Sequence, residues 1–450
     1  MNSRTARIAD ALRTQLWPVP AIAVLVALAL GTVLPALDAA LDTKLPGNIS
    51  GFLFGGGPDA ARAVLQAIAG SLITVTSLTF SLTVVTLQLA SSQFSPRVLR
   101  TFAADKFVHY TLALFMSAFA FALTVLRTVR SASGPTAGFV PEISVTLAFL
   151  LSIASILGLV LFLAHLTREI RAETMMQRVA DETRATLERC FPPDRAPWRP
   201  APPAGPGFIR IEAARTGFLT SVDYRELIRL AVAEGAVIRI DKTPGSSVIQ
   251  GVPFATAWPL DSSLEFDLET AKRLARGSTK AIHTGSERTH VQDVAFGFRQ
   301  LVDVAARALS PGVNDPTTAV HVLGHLSGLL CQLPARMPGT QCLMDEQNRV
   351  RVVLTLPELA DLLDLSMAQP RLYGTSDPEV AERLLELLQE LSWSDHAGSY
   401  RPVILHQAQN METAIKSAGH LPQKTAELLE SARALVAANT EQLPPSASSL

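Results

Sequence analysis

Between residues 63 and 95 the chain runs 33 positions without an Asp, Glu, Lys or Arg. As a helix this stretch measures about 50 Å, longer than the roughly 30 Å of hydrocarbon in a bilayer. Three further apolar runs, residues 17–37, 107–126 and 143–166, each reach the roughly 20 residues that a membrane crossing requires. Charged residues make up 18% of the chain and mean hydropathy is +0.26. Ordinary soluble domains carry about 25% charge, so the deficit points to a protein partly dissolved in lipid. The expected architecture is an α-helical polytopic membrane domain of four transmembrane helices, followed by a cytosolic α+β region.

Arg4, Arg7 and Arg13 precede the first run, which is long and is followed by LPALDAALD, with no A-x-A-like cleavage site. It therefore reads as an uncleaved anchor rather than a signal peptide. Lys and Arg in the short connections set the orientation. Eleven of them (Arg4, Arg7, Arg13, Arg97, Arg100, Lys106, Arg168, Arg171, Arg178, Arg184, Arg189) fall on one side and four (Lys44, Arg62, Arg127, Arg130) on the other. That bias predicts that both termini are cytoplasmic. A net charge of −1 gives no reason to expect a nucleic-acid partner.

The second run carries hydroxyls at nearly every other position. At 100° per residue, Ser71, Thr74, Ser77, Ser81, Gln88 and Ser92 gather on one side, and Thr76, Thr79, Thr83 and Thr86 on roughly the other. One reading is that hydroxyls bond back to the preceding turn and let neighbouring helices approach. The sharper reading is that one stripe packs inside the bundle while Thr74, Ser77, Ser81, Gln88 and Ser92 line a wetted pathway in a homo-oligomer. No Asp, Glu, Lys or Arg lies within the four apolar runs, and coupled transporters generally need ionisable groups at that depth. The length of the second run also carries Gln93, Arg97 and Arg100 beyond the bilayer, where they are expected to couple membrane and cytosolic parts. Pro96 should kink or end the helix there.

The predicted organisation is a four-span domain over residues 1–168 and an amphipathic helix with a stiff linker over 169–207. Seven prolines between 192 and 206 make that linker. A small β-rich subdomain (a barrel or sandwich) follows at 208–265, a mainly helical domain at 266–440 and a disordered tail at 441–450. Strands are expected at 208–212, 236–241, 247–258 and 350–356, and a helix at 224–234. Asp315-Pro316 and Asp377-Pro378 each place a capping acid before a first-turn proline. Cys190, Cys331 and Cys342 form no C-x-x-C pair and read as buried small residues in a reducing compartment.

The densest chemistry lies in ERTHVQDVAFGFRQLVDVAARALSPGVNDPTTA, residues 287–319. A helix over 292–308 places Gln292, Arg299, Asp303 and Arg307 on one side. Arg288, Arg299 and Arg307, near Asn314 and the helix start at Asp315, could form a pocket for a small anion. Equally, the arginines could pair internally with Glu287, Asp293 and Asp303 and hold the domain together. His321 and His325 have the i,i+4 spacing of two metal ligands, but without a third ligand no metal is expected.

The segment SLTFSLTVVTLQLASSQFSPRVLR, together with residues 287–319, resembles the predicted bacterial membrane proteins grouped as domain of unknown function (DUF) 2254. The resemblance extends from the first span past residue 390. It implies a few spans followed by a large cytosolic part, and it implies no activity, cofactor or catalytic residue. The residues themselves contain no P-loop and no G-x-S-x-G elbow, so an enzyme is the weakest reading. Two stronger readings remain: a channel-like permeation protein with a cytosolic regulatory domain, and a membrane-anchored sensor or scaffold without a pore.

Overall fold

The computed structural model describes residues 15, 17–41, 53–93, 105–131, 138–169, 172–192, 202–205, 207–261, 263–336, 339–419 and 421–440. It forms two compact units, one within residues 8–174 and one built from residue 175 onward.

In the first unit, four helices among the described residues are long and apolar enough to cross a bilayer. They are α1 (Pro18–Leu41), α2 (Pro58–Gln93), α3 (Lys106–Leu126) and α4 (Glu142–Glu169). Helix α3 is central and packs against the other three. Small side chains allow this: Ala118, Ala120 and Ala122 are buried on α3. Gly31 of α1 lies so close that an added Cβ would meet the Thr124 Cβ at 2.8 Å. Lipid supplies no hydrophobic force between helices, so close backbone approach of this kind is a main source of their association.

Two carboxylates tie helix ends together. Asp105 caps α3 by accepting from the Phe107 amide at 2.8 Å, and its other oxygen lies 2.6 Å from His165 Nε2 on α4. Asp38, in the last turn of α1, is buried and accepts from the amides of Ile143 and Ser144 and from the Ser144 hydroxyl, at 3.2, 3.0 and 2.7 Å. The residue before α4 is Pro141, which has no side-chain acceptor, so a residue of another helix performs the capping.

The second unit opens with α5 (Ala172–Cys190), the expected amphipathic helix. Strands β1 (Ile209–Glu212), β2 (Gly217–Val222), β3 (Ala236–Ile240), β4 (Ser247–Val248) and β5 (Pro253–Pro259) follow, with α6 (Tyr224–Ala233) between β2 and β3. Then come α7 (Leu268–Ala281), β6 (Ile282–Gly285), α8 (Val294–Ala308), α9 (Pro316–Leu330), β7 (Gln341–Met344) and β8 (Val350–Leu354). Helices α10 (Leu359–Gly374), α11 (Pro378–Ser394), α12 (Arg401–Ser417) and α13 (Pro422–Thr440) complete it.

The sheet order is β1-β5-β3-β8-β7, with β3 and β8 parallel through Ile238 opposite Val352 and Ile240 opposite Leu354. A second, three-stranded sheet runs β4-β2-β6. The strands are thus shared between two sheets, and β7 and β8 enter the larger one from beyond residue 265. A division in chain order at that residue cuts through the sheet. Leu227 and Ala231 of α6 and Leu274 of α7 join Ile238, Ile240 and Val352 in one apolar core, while Val237, Trp258 and Val353 pack together in another. An added Cβ at Gly277 of α7 would lie 2.6 Å from Leu230, which is why α6 and α7 can lie so close. The tail expected to be disordered, 441–450, and most of the proline linker lie outside the described residues.

Candidate functional site

On α2 the two hydroxyl stripes separate by burial. Thr79, Thr83 and Thr86 are buried, whereas Thr74, Ser77, Ser81 and Gln88 are exposed in the single chain. The exposed stripe is longer than the hydroxyls alone suggest. Ala63, Ala67, Gly70, Thr74, Ser77, Ser81, Val84 and Gln88 are all exposed and recur at alternating separations of four and three. That is the spacing of a seam along which one helix meets another. Several hydroxyls bond back to their own helix: Thr74 donates to Gly70 O at 3.1 Å, Thr76 to Leu72 O, Thr83 to Thr79 O and Thr86 to Leu82 O. The side chains of Ser92 and Gln93, and all of Arg97 and Arg100, lie outside the described residues.

The second constellation lies where α5 meets the loop before α8. Asp293 is buried and caps α8 by accepting from the Phe296 amide at 3.0 Å. Arg288 donates to both its oxygens, at 2.7 and 2.9 Å, in a bidentate pair. Burial pushes the Asp293 carboxyl up, against the pull of Arg288 and the Phe296 amide. Gln292 reads the edge of β2, accepting from Val222 N at 2.8 Å and donating to Val222 O at 3.1 Å. The remaining candidates do not join this clasp. Arg299 and Asp303 are half-buried further along α8, Arg307 is exposed near its end, and Asn314 sits in the following turn at φ 48°. Asp315 caps α9 by accepting from the Thr318 amide at 3.1 Å and from the Thr318 hydroxyl, bonds that hold its carboxyl below the ordinary range. One amide expected to be open to an anion is therefore already bonded within the helix start.

The partner of the clasp is α5, which sequence reasoning missed. Thr186 and Arg189 donate to His290 O at 2.8 and 2.9 Å, and the Cys190 thiol donates to Gln292 O at 3.5 Å. Burial chiefly pushes that thiol up to about 12, with Arg189 opposing and Asp293 adding, so it is inert as a nucleophile. Gln341 holds Cys190 O, and Arg336 holds Phe191 O. Gly297 of α8 lies directly against Thr183 of α5, leaving no room for a Cβ. A glycine inside an amphipathic helix costs about 1 kcal/mol relative to alanine, and that was the one local signal of close packing here. Helix α5 is thus packed, within the second unit, against that unit's most distinctive segment. Gly297→Val should destabilise this junction by about 1–3 kcal/mol. The readout is a lower melting temperature in detergent, partly restored by adding Thr183→Ala. An unchanged melting temperature would remove packing as the reason for the glycine.

Among the described residues no three His, Cys, Asp or Glu side chains gather as a metal site. Four apolar helices that tie their own ends, joined to an α+β unit, define a multi-pass membrane protein with a large non-membrane part. The sequence matches the family described as predicted membrane protein (DUF2254) over residues 13–390, and the chain belongs to that family. It is 33% identical over 397 residues to uncharacterized proteins of Mycobacterium bovis and of two strains of Mycobacterium tuberculosis, covering 87% of this chain and 74% of each relative. No solved structure matches it.

Proposed function

We propose that this protein is a homo-oligomeric, channel-like permeation protein of the bacterial inner membrane, with the second unit as its cytosolic regulatory domain. The observation that carries this reading is the exposed seam on α2. A lipid-facing surface is cheapest when apolar, whereas Thr74, Ser77, Ser81 and Gln88 present dipoles without fixed charge along one line. Thr79, Thr83 and Thr86 are buried inside the bundle, so the seam is the stripe available to a second copy or to water. The excess of Lys and Arg on the side of both termini supports a cytosolic second unit. An anchor or scaffold without a pore is the second reading, favoured by the back-bonding of Thr74, which satisfies that hydroxyl without water.

Single cysteines at Thr74, Ser77, Ser81 and Gln88, in a background lacking the three native cysteines, separate these readings. The proposal expects faster reaction with a small charged thiol reagent than at Ile73, Phe80 or Leu87. It also expects disulfide cross-links between copies at Ser77→Cys, and conductance in planar bilayers. Equal reactivity at the two sets, with a monomer in detergent, would refute the pore and leave the anchor.

A further inference from the structure

The second unit contains a hollow of about 600 Å³ that shares no residue with the clasp around Asp293. Its rim carries Arg215, from the turn after β1, with Arg276 and Lys280 from α7. Ala213, Ala214, Ala275 and Ile282 add apolar lining, and Thr279, Thr284 and His283 add polar side chains. No carboxylate lines it. The volume is within the roughly 300–1,000 Å³ of small-molecule sites.

Helix α7 treats its cations in two ways. Lys272 pairs with Glu269 at 2.8 Å, and Arg273 forms a bidentate pair with Glu234 at 2.8 and 2.9 Å. Arg276 and Lys280 have no carboxylate three or four residues away in either direction. They stand one turn apart as like charges, an arrangement that destabilises a helix. Among the described residues neither they nor Arg215 make a hydrogen bond or ion pair. Three uncompensated cations therefore line one concave space. A bound anion relieves their repulsion, and guanidinium groups suit the paired oxygens of phosphate.

We propose that this hollow binds a small phosphorylated organic anion, its phosphate held by Arg215, Arg276 and Lys280 and its organic portion set against the alanine and isoleucine side chains of the lining. The assignment is independent of whether the spans form a pore. The full chain in nanodiscs of zwitterionic lipid, titrated calorimetrically with ADP and with inorganic pyrophosphate as probes, tests it. Saturable binding of at least one probe is expected. The double substitution Arg276→Gln with Lys280→Gln should weaken it roughly ten- to a hundredfold or more, and Arg215→Gln, outside any helix, should weaken it in the same direction. These residues are exposed, so the melting temperature without ligand should stay near that of the parent. Ala214→Trp keeps all three cations but fills the hollow, and should also abolish binding. Binding that survives Ala214→Trp would be diffuse attraction to a basic surface and would overturn the proposal. So would probe binding lost when phosphatidylglycerol is added to the nanodisc, because the rim would then belong to lipid headgroups. Absence of binding by either probe to the parent chain likewise rejects the site.

Discussion

Replacing Asp293 by alanine should lower the stability of the second unit by about 3–5 kcal/mol, the range for removing one member of a buried ion pair. The Asp293 side chain is 1% exposed and that of Arg288 is 23% exposed, so the guanidinium left behind cannot fully regain water. It would lie over the Phe296 ring, 5.4 Å from its centroid, without the carboxylate that Asp293 supplied. The same change removes the cap of α8, itself worth about 0.5–2 kcal/mol. Because burial already pushes the Asp293 carboxyl up, the intact pair is not strongly stabilising relative to a neutral packing. Two further variants separate cap from charge. Asp293→Asn keeps an acceptor for Phe296 N and should cost less than alanine. Arg288→Met combined with Asp293→Asn removes both charges and should recover most of the loss. The measurement is a denaturation midpoint followed by circular dichroism of the full chain in detergent. A loss below about 1 kcal/mol for Asp293→Ala would show that the pair is peripheral to folding.

What was legible in the sequence was local. Asp315-Pro316 and Asp377-Pro378 start α9 and α11 as expected, since each acid caps through amides within three residues. The four spans were legible because lipid imposes a length and a composition on every crossing. The strands at 209–212, 236–240 and 350–354 followed from β-branched residues, but their pairing did not. Ile238 meets Val352 across more than a hundred residues, and no periodicity reports that distance. In the candidate cluster the two readings of Arg288 were indistinguishable by spacing, and its pairing with the buried Asp293 is a tertiary fact. The cationic hollow was hidden for a related reason. The missing carboxylate neighbours of Arg276 and Lys280 can be read from the sequence, but the pairing of Arg273 with Glu234 of another segment and the approach of Arg215 to the same hollow cannot. Charge compensation across segments is a tertiary fact.

Asp38→Ala should be the most damaging single change in the membrane unit, at about 2–3 kcal/mol. Three donors converge on this buried carboxylate, and two of them are amides in the first turn of α4. Those amides have no intrahelical partner, and Pro141 cannot supply one from its side chain. Alanine leaves them orphaned at a site that water reaches poorly, with a cost of about 1–3 kcal/mol for unsatisfied buried polar groups. It also removes a negative charge from the positive end of the α4 dipole, worth a further 0.3–1 kcal/mol or so. Asp38→Asn retains an oxygen acceptor and should be milder. Ser144→Ala removes only the hydroxyl donor at 2.7 Å and should be milder still. Stability is read by unfolding in mixed micelles of increasing sodium dodecyl sulfate content, with proteolysis of the connection between α3 and α4 as a local probe. If Ser144→Ala proves as costly as Asp38→Ala, the hydroxyl contact carries the effect and the amides find another acceptor. If the order is alanine, asparagine, then Ser144→Ala, α1 holds α4 by completing the start of its helix.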